Sequence, residues 1–130
     1  MNAIYAVYGA SGFGREVMPV VRARFEGLGV DRNRLVFVDD QSEASSLNGH
    51  RVLTYAQFLD EPTDERYVSL AIANSSVRER LAAQCQKDGI SFFETRAGNV
   101  IEMDDVSIQE GAVLCPFVTL TSNIHIGQHF

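Results

Sequence analysis

Two rhythms of hydrophobic and polar positions share this chain of 130 residues. The first runs to about residue 93 and alternates apolar runs with stretches at helical spacing. Ile4-Tyr5-Ala6-Val7-Tyr8 is a β-type run stopped by Gly9. Behind it come Gly9-Ala10-Ser11-Gly12-Phe13-Gly14 and a helical stretch in which Val17, Val20, Val21, Phe25 and Leu28 share one face. Pro19 sits early in that stretch and leaves the helix start open. Leu35-Val36-Phe37-Val38 reads as a buried strand closed by Asp39 and Asp40. Residues 41–49 read as a polar loop, 51–53 as a short strand, 55–59 as a short helix and 61–64 as a turn. Residues 67–72 form a further strand. Ser76 and Glu79 fit a capping box, and the helix behind them puts Val77, Leu81 and Cys85 on one face and ends at Gly89. Residues 90–93 close this half. The alternation predicts an α/β domain with a parallel sheet of Rossmann type.

The second rhythm starts near Val100 and has period six. Ile108, Leu114, Leu120 and Ile126 are spaced by six, and Ala112, Val118, Ile124 and Phe130 follow each four positions on. Turn-forming Gly111, Asn123 and Gly127 fall between them. Upstream, Glu102 would occupy the aliphatic slot. Hexapeptide periodicity marks a parallel β-helix; ordinary short strands with coincidental spacing are the alternative. The division is therefore residues 1–95 as the α/β unit and 96–130 as the first coils of a β-helix. Solenoids need about three repeats and a cap. The pattern here stops inside a hexad at Phe130, so the expectation is a fragment, or a chain completed by another copy.

Composition narrows the function classes. Eleven Lys+Arg against 17 Asp+Glu leave a net charge of −6. That argues against nucleic acid, which is bound by Lys and Arg neutralising phosphates, and against a polybasic membrane contact. No apolar run approaches the roughly 18 residues of a membrane span, and the N-terminus lacks the pattern of a signal peptide. Cys85 and Cys115 have no CxxC or metal spacing. They read as small hydrophobes of a cytoplasmic protein.

The glycine loop stands where a phosphate cradle would, after a strand and before a helix. Glycines permit close backbone approach, and free N–H groups at a helix start bind anions. The spacing is G-x-x-G-x-G, which departs from the dinucleotide fingerprint G-x-G-x-x-G; a tight turn without ligand is the alternative. Asp39 and Asp40 end the second strand, where an acid can accept from a ribose hydroxyl. Otherwise they are a solvated acidic turn. Asn74 lies at the same sheet edge, or serves as a helix cap. His50 lies in a loop without an obvious partner. His125 and His129 read as outward, solvated positions. No Ser–His–Asp set, metal cluster or carboxylate pair can be argued from spacing. Arg15-Glu16 and Arg78-Glu79-Arg80 read as exposed helix faces, with Arg78 able to approach a phosphate.

These segments in order, the run from Ile4 to Gly14, Phe37-Val38-Asp39-Asp40, Ala71-Ile72-Ala73-Asn74-Ser75 and Leu114-Cys115-Pro116-Phe117-Val118 with its hexads, resemble the sugar O-/N-acyltransferases of the sialic acid O-acetyltransferase type. Bacillosamine and perosamine N-acetyltransferases are similar members. The resemblance covers essentially the whole chain. It implies a Rossmann-like domain for a UDP- or dTDP-linked amino sugar, then a left-handed β-helix that forms a homotrimer and takes acetyl-CoA between subunits. It places Ser11, Gly12 and Phe13 along the sugar nucleotide, Asp39 and Asp40 at its uridine or thymidine part, and Ala73 in the same cleft; Gly9 and Gly14 of the glycine loop and Asn74 at the sheet edge complete the candidate substrate-binding set. It implies direct acyl transfer with a histidine as general base. Two departures matter. Many members carry His where this chain has Phe13, and the family's catalytic histidine lies about two hexads beyond Phe130. The chain is therefore expected to bind the sugar nucleotide, with no metal, and to carry neither the catalytic base nor the acetyl-CoA site. The rival classes are an NAD(P)-binding redox or sensor domain and a non-catalytic assembly module.

Overall fold

The computed structural model describes residues 2–130. Its first half is built on strands β1 (Ala3–Tyr8), β2 (Leu35–Val38), β3 (Ser46–Leu47), β4 (His50–Leu53), β5 (Glu65–Leu70) and β6 (Ser91–Phe92). They form one sheet in the order β3-β4-β2-β1-β5-β6. Every pairing is parallel except β3 with β4. The predicted loop at 41–49 thus holds half of a hairpin. Asn48 (φ 51°) and Gly49 (φ 84°) form its tip, the positive-φ pair that a tight two-residue turn demands.

Three helices cover the sheet: α1 (Gly12–Gly27), α2 (Tyr55–Asp60) and α3 (Ser75–Lys87). Strand alternation sorts the core into two layers. Ile4, Ala6, Tyr8, Val36 and Val38 pack with Tyr55, Phe58 and Cys85 on one face, while Val7, Leu35 and Phe37 pack with Val17, Met18, Val21 and Phe25 on the other. Phe37 and Phe58 are fully buried, each worth roughly 1.5–3 kcal/mol of hydrophobic stabilisation. The buried stripe of α1 differs from the predicted one. Met18 is in it, Val20 is half-buried, and Leu28 is 70% exposed because it is the C-cap, past the last turn. Pro19 lies on the exposed side inside α1, which runs through it.

Helix starts follow local chemistry. Thr54 and Gln57 make a reciprocal capping box on α2. The N-cap of α3 is Asn74, whose Oδ1 accepts from the Val77 N–H at 3.1 Å. The predicted Ser76 cap is overturned: Ser75 and Ser76 already lie inside the helix, and Asn74 keeps the extended backbone of a cap (φ −72°, ψ 118°). The helix stops before Gly89, at φ 76°.

His50 is also placed differently from its sequence reading. It opens β4, is 2% exposed, and makes two hydrogen bonds: Nδ1 with the Leu35 carbonyl at 2.9 Å, and Nε2 with Arg22 Nη1 at 3.0 Å. A carbonyl can accept and a guanidinium can donate. The ring therefore carries its proton on Nδ1 and is neutral, and burial lowers its pKa. Of the cysteines, Cys85 fits the core, where burial raises its thiol to about 11, but Cys115 is exposed. No helix among the described residues is long and apolar enough to cross a membrane.

The hexads make six two-residue strands: β7 (Thr95–Arg96), β8 (Ile101–Glu102), β9 (Ser107–Ile108), β10 (Val113–Leu114), β11 (Thr119–Leu120) and β12 (His125–Ile126). They pair in parallel at a constant offset of 18 residues: Thr95 with Val113, Ile101 with Thr119, Ser107 with His125. Three hexads thus complete one circuit and the next three stack on it. Asp105, Gly111, Phe117, Asn123 and His129, again spaced by six, all have φ between 54° and 80°. These are the corners. Ala112, Leu114, Leu120 and Ile126 fill the interior, as the period predicts. Glu102 escapes the aliphatic slot by lying exposed and pairing with Arg96 at 3.2 Å. The coil joins the sheet through Thr95 Oγ1, which donates to Ser69 Oγ at 3.1 Å.

Candidate functional site

The order of the sheet puts the reversal of strand progression at its centre, with β2 on one side of β1 and β5 on the other. Ligands of such sheets lie outside the carboxyl ends of the strands at that point. Here β1 ends in the glycine loop and β5 ends at Ala71 to Asn74. The loop is stitched to both neighbours. Gly9 N–H donates to Val38 O at 2.7 Å, and Ala71 N–H donates to Tyr8 O at 2.9 Å.

The glycines divide into two kinds. Gly9 has φ +117°, and a Cβ there would stand 2.7 Å from Ala71 O. Gly14 is tighter, since its Cβ would fall 1.7 Å from Gly9 O. Both are needed to seat α1 against the end of β1. Gly12 has no such duty, because a Cβ there meets nothing within 4 Å. Ser11 is the N-cap of α1, yet its hydroxyl makes no capping bond. The first turn of α1 thus has no side-chain cap, and Gly12 adds no Cβ beside it, an arrangement that suits a phosphate.

Asp39 and Asp40 shape this edge. Asp39 Oδ2 accepts from Ala10 N–H at 2.9 Å and Oδ1 from Gln41 N–H at 2.8 Å, so its carboxylate ties the glycine loop to the end of β2. Asp40 Oδ1 accepts from Tyr55 N–H at 2.8 Å, at the start of α2. Each oxygen retains a lone pair for a ligand. Tyr8 stands beside them; burial first, then the Asp40 charge, push its phenol up to about 12, so it stays neutral.

A cleft of about 280 Å³ continues from the glycine loop toward the coil, lined by Phe13, Leu70, Ile72, Ala73, Arg78, Val113, His129 and Phe130. The structure therefore brings Phe13 and Ala73 to one cleft and fixes Asn74 as the cap beside it. Arg78, read as able to reach a phosphate, instead donates to the Ile72 carbonyl at 2.9 Å and holds the β5–α3 loop. His129 corrects the sequence reading, which placed it outward and solvated. Its ring turns toward the α/β domain and meets Phe92 edge-on, with centroids 4.3 Å apart. The signal that could have found it is the 18-residue offset, which stacks residue 129 on Gly111, a corner with no side chain. His125 is exposed, as expected, and bonds Ser107 Oγ through Nδ1. Among the described residues no group of three His, Cys, Asp or Glu side chains could hold a metal ion.

An α/β domain with a mostly parallel sheet, an uncapped helix start at its switch point and a hexad coil behind it defines the class. The PglD N-terminal domain family matches residues 5–85, and the chain belongs to it. It is 33% identical over 127 residues to a GDP-perosamine N-acetyltransferase of Escherichia coli O157:H7, covering 98% of this chain and 58% of that protein. Among solved structures it is similar to WeeI from Acinetobacter baumannii AYE, with TM-score 0.94, 46% identity, 98% of this chain and 59% of that one covered. A mutant GDP-perosamine N-acetyltransferase from Caulobacter crescentus, in complex with CoA and GDP-perosamine, has TM-score 0.78 at 17% identity, over 97% of this chain and 58% of that one, and shares the fold. The chain spans less than two thirds of the length of these relatives.

Proposed function

We propose that this chain is the sugar-nucleotide-binding part of an acetyl-CoA-dependent N-acetyltransferase acting on a nucleotide-linked amino sugar. The observation that carries the reading is the uncapped start of α1 beside Gly12, at the switch point of the sheet. The diphosphate lies on the first-turn N–H groups, with Gly9 and Gly14 holding the loop and Ser11 and Gly12 lining it. The base lies toward Asp39 and Asp40. The sugar enters the cleft between Phe13 and Ala73, with Asn74 fixing the loop behind Ala73. The similarity to a named GDP-perosamine N-acetyltransferase supports the amino sugar and the acyl group. It also adds GDP to the UDP and dTDP expected from sequence.

The coil is the start of a left-handed β-helix, a reading supported by its 18-residue offset and positive-φ corners. In the full-length enzyme that helix forms a homotrimer, and both the acetyl-CoA site and the histidine base lie beyond residue 130. A backbone anion site also reconciles phosphate binding with a net charge of −6, since oriented N–H groups need little net positive charge.

Calorimetric titration with GDP, UDP and dTDP, with their 4-amino-sugar conjugates and with NADH tests the reading. Binding of a sugar nucleotide in preference to NADH is expected. Tight NADH binding without any sugar-nucleotide binding would favour the redox class instead.

A further inference from the structure

His129 is the one polar side chain of the coil that lines the cleft, and the geometry points to a use for it. Its corner stacks on Gly111, 18 residues earlier. A Cβ on Gly111 would lie 2.1 Å from His129 Nδ1, so the glycine directs a Cα–H at that nitrogen. Nδ1 is buried and has no hydrogen-bond partner. A bare lone pair facing a Cα–H is a weak favourable contact, whereas an N–H there would be lost to bonding altogether. The neutral ring therefore carries its proton on Nε2. Burial keeps the ring neutral by lowering its pKa, and Arg78 acts in the same direction against Glu110. Phe92 packs against the ring at a steep angle, and His129 lines both the cleft of about 280 Å³ and a second cavity of about 430 Å³ beside α3, with Nδ1 turned to Gly111.

Across the cleft Phe13 has no polar side-chain atom, and Arg78 commits Nη1 to the Ile72 carbonyl at 2.9 Å, so the polar side-chain groups left to meet a ligand are His129 and the rest of the Arg78 guanidinium. We propose that His129 is a specificity-determining residue whose Nε2–H donates a hydrogen bond to a hydroxyl oxygen of the sugar in this cleft. The proposal rests on the nucleotide-sugar reading above and adds that the coil, as well as the α/β domain, reads the ligand.

The test compares two ligands on the 130-residue chain: a nucleoside diphosphate and its 4-amino-sugar conjugate. His129→Asn is the main variant. Asn tolerates the left-handed backbone, as Asn123 does at the preceding corner (φ 63°), but is too short to reach the sugar. Affinity for the conjugate is expected to fall at least tenfold, with affinity for the bare diphosphate changed less than twofold. Gly111→Ala, which pushes the ring aside, is expected to reproduce that split. Conjugate affinity held within twofold in a folded His129→Asn protein would overturn the assignment of His129 while leaving the nucleotide-sugar reading intact. Failure of the unaltered chain to bind either ligand would overturn both.

Discussion

Gly12 and Gly14 stand two residues apart at the start of α1, and alanine at the two positions should have opposite consequences for stability. An alanine at 14 places its Cβ 1.7 Å from Gly9 O. That oxygen belongs to a backbone whose N–H is already bound to Val38 O, so no rotamer change relieves the clash. Either the helix start or the loop must move by more than an ångström. Overpacking commonly costs 1–3 kcal/mol; with backbone as the obstacle, about 3 kcal/mol is expected. At about 4 °C per kcal/mol for a domain of this size, Gly14→Ala should lower Tm by about 12 °C. An alanine at 12, the first residue of α1, meets nothing within 4 Å, and replacing a glycine whose backbone suits alanine gains about 0.5 kcal/mol by reducing the freedom of the unfolded chain. Gly12→Ala should therefore raise Tm by about 2 °C. Its methyl nevertheless stands at the proposed diphosphate site, so sugar-nucleotide affinity should fall tenfold or more, about 1.4 kcal/mol. Thermal melts by circular dichroism and titration calorimetry on the two variants read both effects. A Gly14→Ala protein melting within 2 °C of the parent would refute the packing argument. Undiminished affinity in Gly12→Ala would refute the placement of the ligand.

Other outcomes follow from the same geometry. Asn74→Ala should cost about 1 kcal/mol, the usual value of a lost N-cap, while Ser76→Ala stays within about 0.5 kcal/mol; urea midpoints of the two distinguish the caps. His50 is neutral when folded and its pKa is lowered, so its contribution is fully present above the unfolded value of about 6.5 and is lost as pH falls below it. Urea midpoints at pH 7.5 and pH 5 should show that loss, and His50→Phe should reduce it while costing about 1–3 kcal/mol for the unpaired Leu35 carbonyl and Arg22. Asp39→Ala frees the Ala10 and Gln41 amides. Charge-assisted bonds of this kind are worth about 1.5–3 kcal/mol, and amide hydrogen exchange at those two residues should accelerate.

The sequence made the large periodic features legible, and local competition decided the rest. β1 and β2 were readable because their apolar runs are continuous and end at Gly9 and Asp39. The hexads were readable because a spacing of six over four aliphatic positions has few other meanings. The choice between Asn74 and Ser76 was not, because three adjacent cap-forming residues differ in backbone angles that no pattern reveals. Leu28 is apolar at helical spacing yet lies at the C-cap, where the period no longer places side chains on the core. The β3–β4 hairpin carried its own sign in Asn48-Gly49, masked by the polar residues before it. In the candidate site, the glycine loop and the acids at the end of β2 were visible because they sit at strand ends. His50 and His129 were misread because their partners, Leu35 and Arg22 for one and Gly111 and Phe92 for the other, come together only through the fold.

Binding of a nucleotide-linked amino sugar at the start of α1 and in the cleft beyond it is read by backbone amide chemical shifts of the labelled chain during titration with a GDP-linked 4-amino sugar. Saturable shifts concentrated at Gly12, Phe13, Gly14, Ala73 and His129 are expected. Saturable shifts confined to other surfaces, or no shifts with GDP, UDP or dTDP conjugates alike, would contradict it.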